Sequence, residues 1–368
     1  MNNIDINTVR EKLVQALSKV FDDNNGLAIY GAGDTAERTI LPFMESEGVF
    51  PDYFIDDTPS KQGTSFHGIP VINFEQAHEV CKSSLIALCS AIPERREVMR
   101  RTLERNPIEG ASVCAWDEYV FCRHAKEVLE VYDLLEDDLS KATYENMVQM
   151  RMDTARQNYG LVQRDHQYFG IPEFIRGWFF GEVFVDCGAY VGDTVEEYIK
   201  ERAGIPEKIV AFEPNPSNYT ATAARMERLR REWAIPDGKM ELIRAGVGEK
   251  NCFVSDQAEN MGGASVFTLV KGEEVTSGGI QVISLDDYFA DQPVSFIKAD
   301  IEGYEYSLVN GAKNVIQRNK PRWALCIYHS PYDMYRLALR LKELWPEYKF
   351  AVRQHSYSTN ETVLYAYV

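Results

Sequence analysis

Twice in its 368 residues the chain runs a short apolar stretch into a glycine turn and out into a helical pattern. The two segments are LAIYGAGDTAER, from Leu27, and VFVDCGAYVGDT, from Val183. A strand that turns this sharply into a helix needs a residue without a Cβ, and the return of the chain then favours a parallel sheet covered by helices. The surrounding sequence keeps the same alternation. In the first half, YFIDD, GIPVI and SLIALCSA follow as strand-like runs, with a charged helix over Pro93–Arg105. In the second half strands are expected at EVFVD, KIVAFE, MELIR, VSFIKAD and RWALCIY. Helices are expected over Thr194–Arg202, Ser217–Trp233, Tyr304–Arg318 and Pro331–Trp345. Two further runs, YKFAVRQ and ETVLYAYV, flank the turn-rich HSYSTN and read as a terminal antiparallel hairpin.

The fold class is therefore α/β, with two parallel-sheet domains of Rossmann-like type. Residues 1–123 form the first and 176–368 the second. Residues 124–175, charged and free of proline up to Gln167, read as a helical linker. The segment Asn251–Gly279, rich in Gly and Ser, reads as an inserted hairpin or flap.

Charge narrows the function. The formal net charge is −17, and the one basic cluster, Arg225 to Arg231, is interleaved with Glu227 and followed by Glu232. Proteins that bind nucleic acid draw most of their affinity from neutralising phosphates, so no nucleic-acid partner is expected. No apolar run reaches the length of a membrane span, and MNNIDINTVREK lacks a signal peptide's apolar stretch, so the expected location is the cytoplasm. The seven cysteines show no CxxC spacing and read as reduced core thiols.

Three stretches carry the chemistry. In FVDCGAYVGDT, Asp186 ends a strand, Gly188 and Gly192 shape the turn, and a helix opens at Asp193-Thr194. Ligands of open α/β sheets bind beyond the carboxyl ends of the strands, where this loop lies. A plain structural turn is the alternative. In AFEPNP, Glu213 ends the next strand 25 residues on (213 − 188). An acid near that spacing suits ribose hydroxyls. In FIKADIEGYE, Asp300 and Glu302 end a buried strand. They are placed to orient an acceptor hydroxyl or take its proton, or to hold a divalent cation with oxygen ligands. Helix capping by Asp300 is the bland reading.

Together FVDCGAYVGDT, IVAFEPNP, GGASV, VISLDDYF, FIKADIEGYEYSLVNGA and KPRWALCIYH, in this order, resemble the FkbM family of methyltransferases over most of Trp178–Tyr335. The resemblance implies a class I methyltransferase fold, S-adenosylmethionine as donor, and usually O-methylation of a sugar or natural-product hydroxyl. It implies a donor site of Asp186, Gly188, Ala189, Gly192, Asp193, Thr194, Glu213 and Asp300, with Glu213 on the ribose. Ser265 in GGASV is a weaker carry-over. RAGVGEK departs from the family's small-residue run, which leaves the adenine contacts open. Asp300 and Glu302 would stand at the methyl-transfer edge. His329, just past WALCIY, is the first candidate for general base, with Asp300 as rival. No metal is assigned: Asp300, Glu302 and His329 suit a divalent cation only if they converge.

The first half carries Gly31-x-Gly33 with Asp34 opening the helix, and Asp56 again 25 residues on (56 − 31). With FIDD and HGIPVI it resembles the UDP-sugar-binding domain of nucleotide-sugar acyltransferases. A second nucleotide site at Gly31, Gly33, Asp34 and Asp56 is the functional reading, and a domain kept for packing or dimerisation is the other. The expected activity is methylation of a sugar hydroxyl in surface-glycan or nucleotide-sugar metabolism. The partners are a small-molecule or glycan acceptor and a nucleotide-sugar, and a homo-oligomer is compatible. An NAD-dependent nucleotide-sugar enzyme run by the first half, and a non-catalytic nucleotide-binding scaffold, are the alternatives.

Overall fold

Short runs with no polar face become central strands, because a parallel sheet is covered on both sides. The computed structural model describes residues 4–164, 166–175, 181–204, 206–254 and 279–368. The chain divides into two units, one of residues 1–132 and 144–158, the other of residues 133–143 and 159–368.

The first unit holds β1 (Leu27–Tyr30), β2 (Tyr53–Ile55), β3 (Ser65–Phe66), β4 (Ile69–Ile72), β5 (Leu85–Leu88) and β6 (Ser112–Ala115). They lie in the order β3-β4-β2-β1-β5-β6, and every pair is parallel except β3 with β4. The short β3 and the edge strand β6 lack a clear apolar run and were not legible beforehand.

The second unit holds β7 (Val183–Cys187), β8 (Lys208–Phe212), β9 (Met240–Ile243), β10 (Gly246–Val247), β11 (Cys252–Val254), β12 (Ile280–Ile283), β13 (Phe296–Ala299), β14 (Arg322–Cys326), β15 (Lys349–Gln354) and β16 (Thr362–Tyr367). Its main sheet runs β15-β16-β14-β13-β7-β8-β9. Strands β13, β14, β7, β8 and β9 pair in parallel, while β16 is antiparallel to both neighbours, so the expected terminal hairpin closes the sheet. Order reverses between β7 and β13, and the space above their carboxyl ends is where such a sheet binds ligands. A small sheet, β10-β12-β11, stands apart. Strands β11 and β12 pair antiparallel, but most of the expected flap between them lies outside the described residues.

The helices follow their local signals. Asn215 caps Pro216–Glu232 by accepting from the Ser217 and Asn218 amides, and proline stands at the first turn, where its missing N–H costs nothing. The single helix expected over Tyr304–Arg318 is instead two, Glu305–Asn310 and Lys313–Asn319. Gly311 stands at the break, where a Cβ would lie 2.0 Å from the Gly248 carbonyl oxygen. The Gly311 carbonyl also accepts from the Ser284 hydroxyl and the Asp286 amide.

Beneath β7, Phe184 stacks on Tyr198 with ring centroids 4.2 Å apart, beside Phe296 and Phe174. Glu182, 3% exposed, carries the charge of this lower layer. It accepts from Arg202 at 2.6 Å and from the Tyr198 hydroxyl at 2.9 Å, and pairs with Arg322. Removing one partner of a buried ion pair strands the others and costs about 3–5 kcal/mol. Glu182→Ala should lose stability on that scale in chemical unfolding. A loss below about 1 kcal/mol, typical of exposed pairs, would show that these charges are solvated.

Candidate active site

Strand β7 ends on Asp186 and Cys187, and the chain then turns at Gly188 with φ +84°. No other residue fits, since a Cβ would lie 2.0 Å from the Asp300 carbonyl oxygen. The loop ends of β7 and β13 thus touch backbone to backbone. The Gly188 and Ala189 amides both donate to the Phe212 carbonyl at 3.0 Å, which ties the loop to β8. Gly192, at φ +78°, starts the helix Asp193–Glu201.

Glu213 braces this loop from the next strand. One of its oxygens accepts the Tyr190 amide and the other the Asn215 amide, each at 2.8 Å. It is 5% exposed, and burial lifts its pKa despite those two donors. Each carboxylate oxygen keeps a lone pair beyond the one in use.

Asp186 is fully buried and pairs with Lys298 at 3.0 Å. The same ammonium donates to the Gly188 carbonyl at 2.7 Å and lies 5.1 Å from the Tyr168 ring centroid. Burial raises the Asp186 pKa in spite of the lysine. Burial also opposes the charge on Lys298, but Asp186 and Asp300 outweigh it and its pKa is raised.

At the end of β13, Asp300 accepts from the Tyr168 hydroxyl at 2.9 Å and from the Tyr328 hydroxyl at 3.1 Å. His329 Nε2 stands 3.2 Å from Asp300 Oδ1, and its Nδ1 lies 3.1 Å from Glu305 Oε1. Burial works to raise the Asp300 pKa, yet His329, Lys298 and Tyr168 hold it below the ordinary carboxylate range. Burial likewise opposes an imidazolium at His329, but Glu305 and Asp300 push its pKa well above 6.5. The two shifts favour the charged forms of both groups. The helix-capping reading of Asp300 does not describe this geometry, since the helix Glu305–Asn310 has no side-chain cap.

Glu302 and Gly303 both take left-handed backbone, at φ +59° and +97°. For a residue with a Cβ this costs about 1–2 kcal/mol. The turn carries the Glu302 side chain, 39% exposed, beside the site, with Oε2 3.8 Å from His329 Nε2.

These elements surround a cavity of about 380 Å³, within the range of small-molecule sites. Of the expected donor residues, Gly188, Asp193, Thr194, Glu213 and Asp300 line it, and so does Glu302. Asp186, Ala189 and Gly192 shape the loop behind the wall. Ser265 lies outside the described residues. His329 stands behind Asp300, 4% exposed, with a carboxylate at each ring nitrogen. Its ring nitrogens face Asp300 and Glu305, and it is not among the residues that line the cavity. Asp300, Glu305 and His329 bring ligand atoms within 4.8 Å of one another, so the acid that converges with the first and last is Glu305, not Glu302.

Tyr168, Lys298, Glu305, Tyr328, Glu197 and Glu361 were not singled out beforehand. Lys298 had a signal, because a lysine inside the apolar run FIKA must find a partner once buried. Tyr168 and Glu361 had none, since they join the site from remote stretches of sequence.

In the first unit, Gly31 (φ +114°) and Gly33 precede the helix Asp34–Glu47 in the same way. Asp56 accepts the Ala32 amide at 2.9 Å on one oxygen and the Thr58 amide at 2.9 Å on the other. Lys61 stands 3.4 Å from it and donates to the Ala32 carbonyl at 2.7 Å. The bracing repeats that of Glu213, with a lysine added.

Residues 186–351 match the Methyltransferase FkbM domain, which supports a methyltransferase. The methyltransferase FkbM of Methylobacillus flagellatus is similar over 99% of both chains, at 19% identity and a TM-score of 0.57, which shows the shared fold. An rRNA methylase of Streptococcus thermophilus matches 50% of this chain and 85% of its own, at 16% identity and a TM-score of 0.30. No curated protein matches the chain. Among the described residues no helix is long and apolar enough to cross a membrane.

The clamp on His329 has a pH signature. A folded pKa raised above 6.5 stabilises the fold fully below that pH, and the contribution is lost as pH climbs through the folded value. Asp300, depressed below 3.8, contributes above that pH and loses it on acidification. The stability lost in His329→Gln should be larger at about pH 6 than at about pH 9. Equal losses in urea unfolding at both would mean a neutral histidine.

Proposed function

We propose that the second unit transfers a methyl group from S-adenosylmethionine to a hydroxyl of a sugar, on a glycan or nucleotide-sugar acceptor handled in the cytoplasm. One observation carries the reading. The glycine loop of β7, the acid ending β8 and the acidic turn after β13 face a single cavity inside a matched FkbM domain.

The residues present fit the donor. Gly188 lines the cavity at the end of β7, which puts its backbone within reach of an extended ligand. Glu213 offers its remaining lone pairs from the cavity wall to a pair of ribose hydroxyls. Asp186 and Lys298 fix the loop that would take the methionine part. When bound, the sulfonium supplies an already activated methyl group.

The chain's own tasks are then alignment and proton handling. Holding an acceptor oxygen in line with the methyl group contributes about 7–11 kcal/mol of barrier reduction. Asp300 is held by two tyrosine hydroxyls and His329, which suits it to orient the acceptor. Glu302, thrust beside the cavity by its left-handed turn, is the assigned proton acceptor. The acceptor O–H gives its proton to Glu302 as the new O–CH₃ bond forms and the S–CH₃ bond of the donor breaks, leaving a neutral thioether. The sugar reading is supported by the carboxylates and the Tyr168 hydroxyl around the cavity, which suit a polyhydroxylated ligand, and by the family resemblance.

Calorimetry with S-adenosylmethionine and S-adenosylhomocysteine tests the donor. Both should bind the wild type, and Glu213→Ala should weaken both by roughly tenfold or more, the loss of hydrogen bonds to a charged group. Binding of neither would overturn the proposal. In transfer of labelled methyl to a panel of glycans and nucleotide-sugars, Glu302→Gln should lower kcat by about 10²–10⁴-fold with donor Kd changed far less. Wild-type turnover in that variant would move the proton to solvent.

A further inference from the structure

The turn between β15 and β16 does more than close the sheet. Gln354 is fully buried and fills the turn from inside. Its side-chain amide donates to the Ser358 carbonyl at 2.8 Å and to the Asn360 carbonyl at 2.5 Å, and its oxygen accepts from the Thr362 hydroxyl. The His355 amide donates to the Glu361 carbonyl at 3.0 Å and pins the last residue of the turn. Glu361 takes left-handed backbone there, at φ +61°, which a residue with a Cβ keeps only where its surroundings impose it.

A second stretch is stitched to the same turn. The Gln163 amide donates to the Gln354 carbonyl at 2.8 Å. His355 Nδ1 donates to the Gln163 carbonyl, which can only accept, and its Nε2 lies 2.9 Å from the Tyr365 hydroxyl. Four residues beyond Gln163, Gln167 and then Tyr168 line the cavity, as does Glu361. Gln167 Nε2 donates to Glu361 Oε2, and the Tyr168 hydroxyl donates to Asp300 at 2.9 Å. Glu361 is close enough to Asp300 for their charges to interact. Two remote pieces of chain thus place an amide and an acid, already bonded to each other, beside the acid that orients the acceptor.

Resting on the methyltransferase reading, we infer that Gln167 and Glu361 form a subsite for the acceptor: they hold a second hydroxyl of the sugar, near the one methylated, and reject analogues that lack it. The proposed donor contacts come from the loops after β7 and β8, and this pair comes from neither. Among the described residues Glu361 Oε1 and Gln167 Oε1 accept no hydrogen bond, and the Gln167 amide has a second N–H. Together they offer what a hydroxyl needs, an oxygen to donate to and an N–H to accept from. Burial raises the Glu361 pKa, and a carboxyl serves here as well as a carboxylate, since either keeps an oxygen that accepts. A site built around a hydroxyl rejects the analogue without it because its own polar groups are then left unpaired.

The test uses the full chain saturated with S-adenosylhomocysteine. UDP-glucose, UDP-galactose, GDP-mannose and the monodeoxy analogues of each sugar are titrated calorimetrically into the wild type, Glu361→Ala, Gln167→Ala and Glu361→Gln. The wild type should bind at least one sugar and lose about tenfold or more in affinity when the selected hydroxyl is removed. Both alanine variants should bring that gap to about one for that hydroxyl alone. Glu361→Gln still pairs with Gln167 and still bonds a hydroxyl, so it should keep most of the gap. The Kd for S-adenosylmethionine should stay within about twofold throughout, which separates the subsite from a damaged fold. A gap unmoved in both alanine variants overturns the inference and leaves the donor assignment intact. Binding of no sugar to the loaded chain does the same. Binding of no adenosyl ligand overturns the parent reading instead.

Discussion

Much of the second unit's upper surface depends on one buried ammonium. Lys298 is 2% exposed on a central strand, a position that a lysine holds only when its charge and donors are met. Asp186 on β7 meets the charge, the Gly188 carbonyl takes a hydrogen bond, and the Tyr168 ring covers one side. Through these contacts one side chain fixes the end of β7, the glycine loop and a residue that also grips Asp300. The close approach of Gly188 to the Asp300 carbonyl then has no slack, and the cavity inherits its shape from that join.

A second consequence is electrostatic. Lys298 and His329 carry positive charge, and both spend it on acids behind or beside the wall. Among the described residues that line the cavity, the charged groups other than Lys298 are acids. The same arrangement favours the charged forms of Asp300 and His329 and divides labour between acids only two residues apart: Asp300 is immobilised by donors, while Glu302 sits on a left-handed turn at the cavity's edge.

How legible this was in sequence follows from range. Most strands of the two large sheets, β3 and β6 apart, could be read because each is a short apolar run bounded by turn residues, and the parallel class followed from the glycine turns. The hairpin β15–β16 announced itself by two apolar runs around HSYSTN. The break at Gly311 did not, because the Gly248 backbone that packs against it lies more than sixty residues away in sequence. The loop acids Glu213 and Asp300 stood out through spacing and strand ends. The burial of His329 between two acids could not be read, since spacing gives proximity along the chain and not which face of a histidine is occupied. Tyr168 and Glu361 reach the site only through tertiary structure.

Glu213 has one further implication. Its two oxygens hold two backbone amides, so the carboxylate shapes the loop as well as facing the cavity. A glutamine could accept at only one of those amides and would set its own N–H₂ against the other. Drift at this position would therefore damage the architecture before it altered ligand preference, and the same holds for Asp56 in the first unit.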